Sequence, residues 1–92
     1  MTSGQQDKHN LDLAKQDLAK WRALLSRHVL RALGQPDAPH RVEVRHLWAE
    51  HYRVNVLVEA GTASFRVAHS YFLITDEHGA VLASTPAITR QY

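Results

Sequence analysis

Cysteine is absent from this 92-residue chain, which removes disulfides, thiolate nucleophiles and Cys-ligated zinc together and suits a reducing compartment. Glycine and proline are scarce, at 4 and 3 residues. The glycines stand alone, so there is no phosphate-cradling loop, and no internal repeat or low-complexity tract is present. No run approaches the roughly 18 apolar residues of a membrane span. Residues 1–8 lack the basic stretch and apolar run of a signal peptide. A soluble, cytoplasmic protein with no membrane partner and no cofactor is the expectation. Charge of one sign is also in short supply: 11 Lys and Arg against 9 Asp and Glu leave a formal charge of +2.

What is present is ordinary for a folded protein, with 45% hydrophobic and 22% charged residues. One domain covers residues 1–92, and a fold of this size buries only about 60 to 65% of its unfolded surface. From Leu11 to Leu33 the apolar residues Leu11, Ala14, Leu18, Trp21, Leu25, Val29 and Ala32 recur at steps of three and four, the pattern of an amphipathic helix. Asn10 offers an N-cap, and Ser3 with Gln6 an earlier capping box. Gly34 and Pro36 mark the stop. The expected layout is a flexible stretch over 1–9, a helix over about 10–33 and a linker over 34–40.

After the linker the period becomes two. Val42, Val44, His46 and Trp48 share one face of a first strand, and Tyr52, Val54, Val56 and Val58 one face of a second. Ala63, Phe65, Val67, His69, Tyr71 and Leu73 do so in a third, and residues 80–84 form a fourth after the Asp76-Glu77-His78-Gly79 turn. The fold class predicted is therefore α+β, one helix on a four-stranded antiparallel meander over about 41–85, with residues 86–92 as an extended edge or a short turn. The order of elements resembles cystatin-like folds and the cone-shaped nuclear transport factor 2 type. That is a likeness of fold, which carries no activity.

Register follows from aligning the apolar faces. It pairs Trp48 with Tyr52 and Val44 with Val56 around a three-residue turn at Ala49-Glu50-His51. It also pairs Val54 with Val67 and Tyr52 with His69 around a tight Ala60-Gly61 turn, and Leu73 with Leu82. Tyr71 to Ile74 would then pair with the fourth strand alone, as a projecting arm that is apolar on both sides.

Seven histidines are many for this length. His9, His40, His51 and His78 fall in the terminus, the linker or turns, where an exposed imidazole is usually incidental. His46 and His69 point to the inner face beside Trp48, Tyr52 and Tyr71. These five are the candidate ligand pocket, since imidazoles near phenols can move protons. The plainer reading is that both histidines are satisfied core residues. In this register the two lie roughly 12 Å apart, too far to share a zinc with ligands at about 2 Å, so no metal is expected within one chain, while one shared across a dimer stays open. Ser64, Ser70 and Ser84 lack any nucleophile-elbow context, and no catalytic residue is assigned.

Lys20, Arg27 and Arg31 follow one another along the helix, and Arg45, Arg53 and Arg66 form a basic patch on the outer sheet face. Nucleic-acid modules interleave such charges with aromatics, and in this register only Phe72 does so. Leu57, Phe72, Ile74 and Val81 are apolar residues left outside the helix-covered face, and excess of that kind typically marks an interface. The leading expectation is a small non-enzymatic interaction or assembly domain, homodimeric through the arm around Phe72 and Ile74. A small-ligand or minor enzymatic pocket under the helix is the second, and a nucleic-acid adaptor the third.

Overall fold

In the computed structural model, which describes the backbone of residues 3–92 and the side chains of residues 18–92, the helical period does what it predicts. Leu25, Val29 and Leu33, one turn apart, are fully buried, while Arg22, Arg27 and Arg31 stay exposed. Helix α1 spans Ser3–Leu33, so it starts earlier than the Asn10 cap and takes in most of the stretch expected to be flexible. It ends where glycine allows a left-handed residue: Gly34 has φ 89°, and its N–H donates to the Leu30 carbonyl at 2.8 Å.

The helix packs on one antiparallel sheet with strand order β1-β2-β3-β4. The strands are β1 (His40–Trp48), β2 (His51–Glu59), β3 (Phe65–Thr75) and β4 (Val81–Thr85). Against α1 lie Val44, Tyr52, Val54, Val56, Tyr71 and Leu73, with Val42, Val58, Val81 and Ile88 around them. The fold is α+β, as predicted.

Each hairpin departs from the expected register, and each contains an irregularity. In the first, His46 faces Tyr52 and Val44 faces Val54, across a two-residue turn. Strict alternation forbids that turn, because it sets valines against arginines. A bulge between His46 and Trp48 supplies the extra residue and keeps the valines inside.

In the second hairpin, Val54 faces Tyr71 and Tyr52 faces Leu73, so β3 sits four residues from its expected place. The tight Ala60-Gly61 turn is replaced by a wider loop closed by the Ala60 N–H to Ser64 carbonyl bond, 2.8 Å. This shift puts the larger Tyr71 and Leu73 under the helix in place of Val67 and His69, which improves core filling. Tyr71 to Ile74 pair with β2 on one side, and Phe72 to Ile74 also with β4 on the other, so the stretch lies within the sheet. The projecting arm is thereby corrected to a central strand.

In the third hairpin Leu73 faces Ser84, not Leu82. Leu82 falls in the irregularity after Ile74 and is 66% exposed. The Asp76 carboxylate organises this turn by accepting the N–H groups of His78 at 2.8 Å and Ala80 at 2.9 Å. Those bonds, Ala80's first, hold its carboxyl below the ordinary value of 3.8. A depressed folded pKa contributes stability above the unfolded value and loses it as pH falls through the folded one. Replacing Asp76 by alanine is therefore expected to flatten the acid limb where pH falls through and below the ordinary carboxylate value of 3.8. Urea midpoints across that range test it, and an unchanged slope would count against it.

The tail, residues 86–92, is neither an edge strand nor an isolated turn. It returns to the end of α1, where the N–H groups of Gln91 and Tyr92 donate to the Leu33 carbonyl at 2.8 and 3.2 Å. A helix-terminal acceptor that would otherwise need water is thus satisfied by the chain itself.

Candidate interaction surface

Alternation along the strands sends a second set of side chains to the sheet face opposite α1. On β2 these are Arg53, Asn55, Leu57 and Glu59. Their partners are Arg45, Glu43 and Arg41 on β1, and Phe72, Ser70, Val67 and Phe65 on β3. Ile74 joins them opposite His51. Three of the four predicted interface residues, Leu57, Phe72 and Ile74, therefore do share this face. Val81 does not: it lies opposite Thr75 and packs against the core, because the irregularity in the last hairpin sets its phase.

The bulges also bring residues to this face that alternation alone assigns to the other. Trp48, expected inside with the pocket, is carried outward by the bulge at Leu47. It is 57% exposed, stacks on His51 at 4.5 Å between centroids and lies 6.0 Å from the Phe72 ring. Val67 and Phe65 likewise reach the outer face after the slip between Val56 and Leu57. They are 51% and 40% exposed, and the Arg41 guanidinium sits 5.2 Å above the Phe65 ring.

Between these two apolar ends runs a polar rung. Arg53 donates to the Ser70 hydroxyl at 3.1 Å, and Ser70 donates to the Asn55 side-chain oxygen at 2.6 Å. Arg45 is directly opposite Arg53, a like-charge pair that costs the sheet stability. Among the described residues neither guanidinium has a carboxylate at ion-pair distance. Arg66 is not part of this group. It lies opposite Val58 on the other phase of the sheet, so the predicted patch of Arg45, Arg53 and Arg66 becomes Arg41, Arg45 and Arg53.

The remaining pocket candidates fall into two separate groups. His46 stands 5.0 Å from the Tyr52 ring, and its Nε2 donates to the Ala49 carbonyl at 2.7 Å. Trp21 of the helix completes this group, 6.1 Å from Tyr52. His69 stacks with Tyr71 and makes a 2.9 Å hydrogen bond through Nε2 to the Tyr92 hydroxyl. With His46 opposite Tyr52 and His69 opposite Val56, the two imidazoles originate about 16 Å apart. Burial, then the Glu50 charge, raises the Tyr52 phenol above its usual value, and burial, then Tyr92, does the same for Tyr71. Neither phenol is poised to ionise near neutral pH, and the five residues do not converge on one cavity.

Sequence reasoning missed Tyr92 as the partner of His69, because nothing periodic links residues so far apart. It also missed much of the aromatic character of the outer face, which two of the irregularities create, one at Leu47 and one between Val56 and Leu57. Among the described residues no helix is long and apolar enough to cross a membrane, and no three His, Asp or Glu side chains cluster as metal ligands do. The chain matches no protein-family model, no curated protein and no solved structure.

Proposed function

We propose that this protein is a small non-enzymatic interaction domain that self-associates through the outer face of its sheet. The observation that carries the reading is the apolar surface of that face: exposed Trp48, Phe65 and Val67 beside half-buried Phe72 and Ile74, with Leu57 itself already buried. Strands of nine, nine, eleven and five residues present roughly 540 Å² in projection. Two copies face to face would cover about 1,100 Å², just above the roughly 1,000 Å² that a specific pair needs. Glu43 and Glu59 share the face with Arg45 and Arg53, so a second copy can bring carboxylates to the two guanidiniums that oppose each other.

Light scattering coupled to size exclusion tests the proposal. The wild-type chain is expected to run as a dimer or larger at high micromolar concentration. Phe72→Asp, or Val67→Asp at a more exposed site, is expected to lower that mass by half while leaving the circular dichroism unchanged. A wild-type monomer would sink the reading.

The same face also supports a second reading as a stacking platform for single-stranded nucleic acid, since Trp48, His51, Phe65 and Phe72 alternate with arginines. A monomeric chain that binds a labelled oligonucleotide, with affinity falling steeply as salt rises, would favour it over self-association.

A further inference from the structure

Strand β1 is an edge of the sheet, nine residues long and free of proline. Its bonding phase is fixed by one contact: Glu59 N–H donates to the Pro39 carbonyl at 3.0 Å. Residues of an antiparallel pair alternate between bonding inward and turning their polar groups away. Arg41, Glu43 and Arg45 therefore bond to β2, and Val42, Val44 and His46 direct their N–H and C=O groups to the open edge. The Thr75 N–H to Glu50 carbonyl bond, 2.9 Å, requires the same phase on the other side of β2. Beside this edge lies an open groove of about 550 Å³, bounded by Leu18 and Arg22 of α1 and by Val42 to His46.

Native sheets seldom leave such an edge unguarded. We infer that β1 pairs antiparallel with β1 of a second copy, about a two-fold axis through Val44, to form a continuous eight-stranded sheet. Charge selects both the occupant and the register. Centred on Val44, the pairing sets Glu43 against the partner strand's arginine at position 45 twice, and keeps Val42, Val44 and His46 on the helix side. Centred on Glu43 it opposes two glutamates, and centred on Arg45 two arginines. Centred on Val42 it shortens the overlap and leaves Arg45 facing proline. Only the Val44 register pairs the whole strand with opposite charges across the seam, and it forms about six backbone hydrogen bonds.

This contact is made by the β1 backbone and shares Glu43 and Arg45 with the outer face, and its axis stands perpendicular to the sheet. The face contact has its axis in the plane between two sheets. Where the two axes intersect they generate a closed assembly of four copies, and either alone gives two.

The lack of cysteine makes the register directly testable in the full chain. In the Val44→Cys variant the two thiols meet on the axis with Cα atoms about 5.5 Å apart, within disulfide range. Mild oxidation is expected to convert most of that variant to a covalent dimer on a non-reducing gel, and to link Val42→Cys at least tenfold more slowly. An unlinked Val44→Cys variant, or equal linking of both, would overturn the inference. Because Val44 is a core residue, charge reversal at exposed sites gives an independent reading. Glu43→Arg or Arg45→Glu is expected to weaken association about tenfold, and the double reversal to restore it. No rescue by the double reversal also overturns the edge pairing. A linked Val44→Cys dimer whose mass is insensitive to Phe72→Asp would retain the edge contact and remove the face contact. The opposite pattern would do the reverse.

Discussion

Replacing Gly79 with alanine is expected to cost about 3 kcal/mol or more, a large share of the roughly 5 to 14 kcal/mol that holds a chain of this size together. Two costs meet at that position. Gly79 has φ 90°, in the left-handed region that an L side chain enters at about 1 to 2 kcal/mol. A Cβ there would also fall under 3.0 Å from three atoms of the Trp21 ring. That ring is wedged between the β3–β4 turn and Tyr52, so it cannot give way without disturbing the core. Gly61 provides the control, since it too has a positive φ, 71°, but a Cβ there meets nothing within 4 Å. Urea denaturation of both alanine variants separates the costs. Equal losses would mean that Trp21 does not clamp the turn.

Leu73→Ala is expected to lose about 3 to 4 kcal/mol. Leu73 is fully buried and has a strand on either side, facing Tyr52 on β2 and Ser84 on β4, so a truncated side chain leaves a void that neither neighbour can close. Leu82→Ala, in β4 of the same hairpin and 66% exposed, is expected to change stability by less than about 0.5 kcal/mol. Simple alternation makes these two leucines a facing pair with similar roles, whereas the structure makes one the centre of the core and the other a surface residue. Similar losses at both sites would restore the simpler register.

That contrast locates what was legible in the chain. The three-and-four spacing that runs through Leu18, Trp21, Leu25 and Val29 identified the helix and its buried face. The alternation of Tyr52, Val54 and Val56 identified a strand half-covered by it, and Gly34 located the helix stop. Each of these patterns is local, and local patterns survive any shift of one strand along another. Register depends instead on single inserted residues, and a bulge at Leu47 looks in sequence like continued alternation. The consequence was large for the site: one extra residue took Trp48 from the expected pocket to the opposite face. The His69 to Tyr92 bond and the return of the tail to Leu33 join distant parts of the chain, and no periodicity reports such contacts.

The sheet order also bears on how the chain reaches this state. Every strand pairs with its neighbour in sequence, so most of the sheet can zip from turns that close short loops, and short loops close fast. The bond from Gln91 to Leu33 spans nearly the whole meander, and it needs both the finished helix end and the finished last strand. It therefore belongs to the late side of the folding barrier. There it contributes little to the speed of folding and most to the slowness of unfolding, so the tail acts on the lifetime of the native state.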